Sequence, residues 1–572
     1  MINFKRSMAT FALLLVAGAQ ASQQDMGQGE QLGFEVEKQA NLPKQELTSQ
    51  VLYEYLLGEM AVQRGKPEMA AQLYLKLAIA TRDPRLANYA AHLAFETRQM
   101  DKAMTAFNLW LELEPSSLLA KQALATLLIS GGKLESARPH LEGLIAAAAD
   151  NAGNVFMRIW PMIASYPDKG AAFNLLRELT KPYPQVAEAH WTLAQVAEVA
   201  NKHELAIAEA RQALALRPEW DSAVLLCAEL LQQSAPKEAL ATLKKYLDTY
   251  PETKEVRLFY ARALIEQKQS VEARAEFQQL LKAYPDSPDL AFAVGLLSLD
   301  IGELDRGEKE LRQALASGKK DENVVHYYLG QLSEVKGHDE DAIKNYEKIQ
   351  NGTYHFLARL RMAYLTNKLG RPDDASQLLR KTVTKNNQQR MQLIMLEAQM
   401  LRDAQKLEAA YQVLMLGLEK IPNQPDLMYE AGMLADRLGK HDIFEQMMRK
   451  IIEIKPDYAQ AYNALGYGLI ERNERIQEAM RLVEKAYQLT PDDVGIIDSM
   501  GFGYYRLGDL VKSLEFLRRA YAINPDPEIA AHLGEVLWVQ GQKEEAKKTW
   551  DSALRLSPKN TVLQAVIKKF MP

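Results

Sequence analysis

Prolines recur through this chain at a nearly constant interval. Pro184, Pro218, Pro251 and Pro285 are spaced by 34, 33 and 34 residues, and Pro422, Pro456, Pro491, Pro525 and Pro558 by 34, 35, 34 and 33. The 137 residues from Pro285 to Pro422 are close to four further periods. A period of this length constrains the fold more than composition does. Each unit is one supersecondary element that cannot bury its apolar face alone, so successive units must stack. The last unit, EIAAHLGEVLWVQGQKEEAKKTWDSALRLSP, shows what the element is. Its apolar residues fall at i, i+4 and i+8, on one face of each of two helices; Gly541 ends the first helix and Pro558 closes the second.

Two series of small residues keep the same period. One runs through the first helices from Gly58, Ala91 and Ala125 to Gly466, Gly501 and Gly534. The other runs through the second helices from Ala70 and Ala103 to Ser513 and Ala546, interrupted once by Phe444. Small side chains at fixed places let two helix backbones approach closely. Thirty-four residues is the tetratricopeptide period. The expected fold is therefore all-α, a right-handed superhelical tetratricopeptide-repeat (TPR) solenoid of about fifteen hairpins over 51–558, with 559–572 as a capping helix carrying Val562, Val566 and Phe570 on one face.

The same register interprets residues that invite other readings. Gly501, Gly503 and Gly508 lie close together, as in a phosphate-binding loop, but such a loop follows a strand and opens a helix. Here Gly501 falls at a helix-packing position and Gly508 at a helix end. Cys227, the chain's single cysteine, occupies a packing position held elsewhere by Gly or Ala. The register fails near Trp160 and Pro161, where a small residue and a helical residue belong. A proline inside a helix costs about 3 kcal/mol, so 145–170 reads as an irregular joint. The expected organisation is a first block at 51–149, a degenerate repeat or joint at 150–184 and a main array at 185–558.

The N-terminus reads as a secretory signal over 1–21: Lys5 and Arg6, a short apolar run from Phe11 to Val16, and an A-x-A exit at Ala19-Gln20-Ala21. Residues 22–50 are polar and read as a flexible tether. The expected location is the periplasm. The net charge of −5, with no basic run, argues against a nucleic-acid partner. The nine histidines are scattered without metal-ligand spacing, and the acidic stretch GHDEDAI at 337–343 falls on an inter-helix turn, where solvated charge is usual. The reading is a non-enzyme with no cofactor and no metal.

What remains is surface. In TPR solenoids the fifth and ninth positions of each first helix point into the groove. Here they carry Phe292, Leu296, Tyr327, Tyr364, Met395, Tyr429, Met433, Tyr467 and Phe502. Aromatic and methionine side chains anchor interfaces and adapt to varied partners, so these nine form the expected partner-binding groove. The alternative is that they pack between hairpins.

The stretch GEMAVQRGKPEMAAQLYLKLAIATRDPRLANYAAHLA at 58–94, with the signal, the tether, the chain length and the final hairpin, resembles the LbcA family of TPR outer-membrane lipoproteins of Gram-negative bacteria. That resemblance implies a non-catalytic adaptor of CtpA, a periplasmic carboxyl-terminal processing serine protease, to which it presents peptidoglycan hydrolases. It also implies a location at the inner face of the outer membrane. The chain departs from the family where a lipid would attach: Val16-Ala17-Gly18 is followed by Ala19 rather than cysteine. Membrane association is thus expected only through an N-terminal anchor that this residue leaves in doubt. A scaffold for envelope polysaccharide secretion or assembly is the other reading.

Overall fold

The computed structural model describes residues 46–571. The signal expected over 1–21 and most of the tether lie outside the described residues. Among these, thirty-one α-helices and no strand are present; thirty helices pair into fifteen hairpins, from Ser49–Gln63 with Pro67–Thr81 to Pro527–Val539 with Lys543–Leu556. The last helix, Thr561–Phe570, stands alone and buries Leu563 against the final hairpin. The first helix starts at Ser49, two residues before the expected boundary, because Thr48 caps it through the Val51 N–H at 3.2 Å.

The turns between paired helices account for several of the glycines outside the packing series. At Gly508 the backbone has φ +85, its N–H donates to the Tyr505 carbonyl at 3.0 Å, and the Asp509 N–H reaches back to the Tyr504 carbonyl at 3.0 Å. This is a Schellman end, which needs the left-handed conformation and satisfies carbonyls that the helix leaves open. Gly503, five residues earlier, is a packing residue: a Cβ there would lie 2.2 Å from Met480 Sδ.

The small-residue series face large partners. A Cβ on Gly501 would stand 2.6 Å from Leu517 Cγ, and one on Gly330 would stand 2.5 Å from Tyr346 Cε1. The lone bulky residue of the second series is accommodated in the same way. Phe444 is buried, and the next first helix offers Gly468, whose added Cβ would meet the Phe444 ring at 3.1 Å. Cys227 is buried, and desolvation pushes its thiol pKa up to about 11. Since the thiolate is the reactive form, Cys227 should resist iodoacetamide at neutral pH in the folded chain and react fully in denaturant. Mass spectrometry of the alkylated protein reads this directly.

The expected joint is corrected. Ala152–Ala164 is a helix that continues past Pro161, with the Ser165 N–H donating to the Pro161 carbonyl at 3.0 Å. It pairs with Lys169–Thr180, and a hydrophobic core runs unbroken from Ala125 through this hairpin to Ala239. Packing supplies the reason: Phe156 is fully buried, and Trp160 meets Trp191 edge to face at 5.8 Å. Such contacts outweigh one missing helix hydrogen bond. The local irregularity is the 3-10 turn Ala149–Asn151.

The chain instead divides between Lys319 and Lys320 into two compact units. Among the described residues the first holds eight hairpins, and the second holds seven with the terminal helix. Each is a helical-hairpin solenoid of TPR type.

Candidate partner-binding surface

Burial sorts the nine expected groove residues. In the first unit, helix Pro288–Asp300 is buried at every position from Leu290 to Leu299. Phe292 and Leu296 are therefore core residues, and the Lys319 ammonium covers the Phe292 ring at 5.3 Å from its centroid. In the second unit Tyr327 is buried against the Tyr354 ring, with centroids 4.5 Å apart. Phe502 is 4% exposed and stacks on His532 at 4.0 Å. These four offer no free area to a partner, because the neighbouring helix already covers them.

The other five keep some surface. Tyr364 is 43% exposed, with the Arg361 guanidinium 5.1 Å from its ring centroid. Arg361 is itself fixed by Glu334, Nε to Oε1 at 3.0 Å, so the arginine is held against the ring rather than free to leave it. Met395, Tyr429, Met433 and Tyr467 are partly buried and pack on one shared core. The structure thus gathers five of the nine on a single apolar cluster of the second unit, these four with the buried Phe502, and leaves Tyr364 outside it.

The carboxylates of the acidic stretch at 337–343 are paired with cations. Asp339 pairs with Lys368 at 2.6 Å, Glu340 with Arg371 at 2.9 Å and Asp341 with Lys344 at 3.0 Å. These carboxylates open helix Asp339–Glu347, where the helix dipole favours negative charge. Among the described residues no group of three His, Cys, Asp or Glu side chains is arranged to hold a metal ion. No described helix is long and apolar enough to cross a membrane.

Sequence reasoning missed a buried polar centre beside the cluster. Asp498 and His532 stand on successive first helices, Val494–Arg506 and Pro527–Val539. His532 Nδ1 is 2.9 Å from Asp498 Oδ2 and 3.1 Å from Oδ1, and both side chains are 9% exposed. The other ring nitrogen lies 3.4 Å from the Tyr467 hydroxyl. Burial disfavours the imidazolium, but the touching Asp498 carboxylate, together with Glu535 and Glu528, outweighs it and holds the His532 pKa above its ordinary value. Glu535 is itself paired with Lys569 at 2.9 Å and accepts from the Tyr505 hydroxyl at 3.2 Å. The available signal was the spacing: the two residues are 34 apart, one period, and both are polar where these helices are otherwise buried.

Comparison with known proteins agrees with the geometry. Residues 168–219, 230–296 and 328–559 match models described as tetratricopeptide repeat. The TPR repeat-containing protein PA4667 of Pseudomonas aeruginosa is 33% identical over 488 residues, which cover 85% of this chain and 82% of that protein. Among solved structures, Naa15/Naa10 bound to HypK-THB is 17% identical over 73% of this chain and 70% of that one, with a TM-score of 0.38. A thermophilic TPR protein of Thermus thermophilus is 21% identical over 32% of this chain and 99% of its own, with a TM-score of 0.29. Scores this low carry no argument about arrangement. The repeat register, the paired helices and the bacterial relative together place the chain in the tetratricopeptide repeat family, whose members are generally non-catalytic scaffolds for protein–protein interaction.

Proposed function

We propose that this chain is a periplasmic, non-catalytic adaptor that holds a carboxyl-terminal processing serine protease and presents peptidoglycan hydrolases to it. The observation that carries the scaffold part is the cluster in the second unit, where Met395, Tyr429, Met433 and Tyr467 keep partial exposure on one shared core. Interface energy concentrates in a few aromatic anchors set in packed surroundings, and methionine adapts to more than one partner. The protease and hydrolase assignment rests on the family resemblance of residues 58–94. Export rests on Lys5, Arg6, the run from Phe11 to Val16 and the Ala19-Gln20-Ala21 exit.

Affinity capture of the full chain from an envelope fraction tests the assignment. Recovery of a serine protease with wall hydrolases is the expected result; recovery of polysaccharide-export components in their place sinks it in favour of the alternative scaffold. Tyr364 provides a finer measurement, because its exposure separates binding from stability. Tyr364→Ala should weaken partner binding by about 2 kcal/mol if it is an anchor. Stability should stay within about 0.5 kcal/mol, as for most surface changes. A binding titration beside a circular-dichroism melt reads both.

A further inference from the structure

A turn between two hairpins of the second unit carries a reactive pair of residues. Helix Asp339–Glu347 has only 9 residues, and the chain then passes through Asn351, Gly352 and Thr353 before helix His355–Lys368 begins. Asn351 is the only asparagine in the chain that is followed by glycine. Asn351, Gly352 and Thr353 are all exposed, and Gly352 has φ +82, a left-handed conformation open to glycine at no steric cost. A Cβ built on Gly352 would come near nothing but Asn323 Nδ2, at 3.6 Å. The Gly352 N–H donates to no carbonyl among the described residues. Asn345 and Asn367 differ, since they lie inside helices, where the N–H that follows them is bonded to the carbonyl four residues back.

A side-chain carboxamide beside a free, unhindered main-chain N–H is chemically unstable, and asparagine is among the thermolabile residues for this reason. Hydroxide removes the Gly352 N–H proton, and the nitrogen attacks Asn351 Cγ to close a five-membered ring. The Cγ–Nδ2 bond breaks, and ammonia leaves with a proton returned from water. Water then opens the cyclic imide at either carbonyl. One opening restores the main chain as aspartate; the other routes it through Cβ as isoaspartate. The sum is one water consumed and one ammonia released, with no oxidant, metal or cofactor. Glycine matters because it puts no side chain in the way of the attacking nitrogen.

We propose that Asn351-Gly352 is a site of spontaneous deamidation, which turns Asn351 into isoaspartate and aspartate as the protein ages and loosens the junction of two hairpins. What the turn holds explains the second part. Asn323, on helix Glu322–Val335, donates through Nδ2 to the Asn351 main-chain oxygen at 3.3 Å and to its Oδ1 at 3.2 Å. Isoaspartate replaces that carboxamide by a carboxylate and lengthens the main chain by one methylene, so both bonds lose their geometry. Tyr354, three residues on, stacks against Tyr327 of the same helix with centroids 4.5 Å apart. The longer turn therefore disturbs the seating of helix His355–Lys368 on its predecessor. None of this depends on which partners the chain holds.

The full chain, incubated in H2¹⁸O at pH 7 and at pH 9, tests the chemistry. Peptide mapping by mass spectrometry locates the converted residue, and protein isoaspartyl methyltransferase with labelled S-adenosylmethionine reads isoaspartate. Isoaspartate should accumulate at 351 ahead of every other asparagine, faster at pH 9, with one ¹⁸O gained per converted residue. Gly352→Ala crowds the attacking nitrogen and should slow the conversion several-fold. Alanine is strained at φ +82, so Asn351→Gln is the second variant: it leaves Gly352 in place, needs a six-membered ring and should lose the reaction. Circular-dichroism melts check that both fold. The aged form, separated from fresh protein by its extra negative charge, should exchange amides faster in 322–335 and 355–368 and at an unchanged rate in 441–489, because each repeat contacts only its neighbours. Asn351 left intact while other asparagines convert, aspartate without isoaspartate, or equal rates in wild type and Gly352→Ala would overturn the site. Unchanged exchange in the aged form would overturn the loosening.

Discussion

Gly534→Ala should destabilise the last hairpin by about 3 kcal/mol, although alanine is the better helix former. On propensity alone the substitution gains about 1 kcal/mol. The new methyl, however, would lie 2.0 Å from Trp550 Nε1 and 2.4 Å from Cε2, far inside van der Waals contact. Trp550 has nowhere to go: it is fully buried, stacked on Trp538 at 5.7 Å and on Phe570 at 6.1 Å. Overpacking a rigid site costs about 1–3 kcal/mol. Expelling the indole outright approaches the 3–5 kcal/mol of a Trp→Ala truncation, so sterics win over propensity.

The paired variant gives the sharper result. Trp550→Leu replaces the indole, with the Nε1, Cε2 and Cδ1 atoms that the methyl would strike, by a shorter side chain. Gly534→Ala should then cost at least about 1 kcal/mol less in that background, a coupling within the range for touching residues. Each repeat contacts only its neighbours, so the loss should stay local. Amide exchange should accelerate in 527–570 and remain unchanged in 187–316. Additive effects of the two substitutions would mean that Gly534 and Trp550 do not meet as described.

That prediction depends on what the repeat period already implied. A small residue in nearly every first helix presupposes something large pressed against it, whereas Phe444 broke the series and only the structure shows that Gly468 admits it. Hairpins and the capping helix could be read because helix ends and close approaches demand particular residue types. Proline misled at Pro161: its local penalty is a few kcal/mol, and Phe156 with the Trp160–Trp191 contact overcomes it. The boundary at Lys319 had no comparable signal, since the turn at Gly318, with φ +80, resembles the turns inside hairpins.

The candidate surface was harder to read for a related reason. A fifth or ninth position is defined within one helix, but its exposure is decided by the next helix. Helix Pro288–Asp300 is buried on all sides, so no periodicity marks Phe292 or Leu296 as facing a groove. In the second unit Phe502 is covered by His532, a residue one position away from the expected pattern. Tyr364, Met395, Tyr429, Met433 and Tyr467 kept surface through their neighbours' sizes, information that lies a full period away in the chain.

His532 carries the other large effect, and its sign follows from its partner. A histidine whose pKa is raised on folding contributes stability that is fully present below the unfolded value of about 6.5 and is lost as pH rises through the folded one. The second unit should therefore resist urea better at pH 6 than at pH 9. The groups facing the ring are Asp498 across the helix pair, the Tyr467 hydroxyl, and Glu528 and Glu535 on its own helix. Asp498 is the one within hydrogen-bond reach of Nδ1, so it should account for most of the slope. Asp498→Asn keeps the shape and removes the charge. At pH 6 it leaves a buried imidazolium facing a neutral amide, a loss of about 3 kcal/mol, as when one member of a buried ion pair is deleted. As pH rises above the unfolded value, the stability that the raised pKa contributes is lost, so the difference between wild type and variant should shrink. The urea midpoint of the variant should accordingly vary less between the two pH values. A variant with the wild-type slope would transfer the dependence to Glu528 and Glu535 and sink this account of the pair. Because Tyr467 touches the same ring and belongs to the exposed cluster, partner affinity measured at the two pH values should fall along with the stability of this centre.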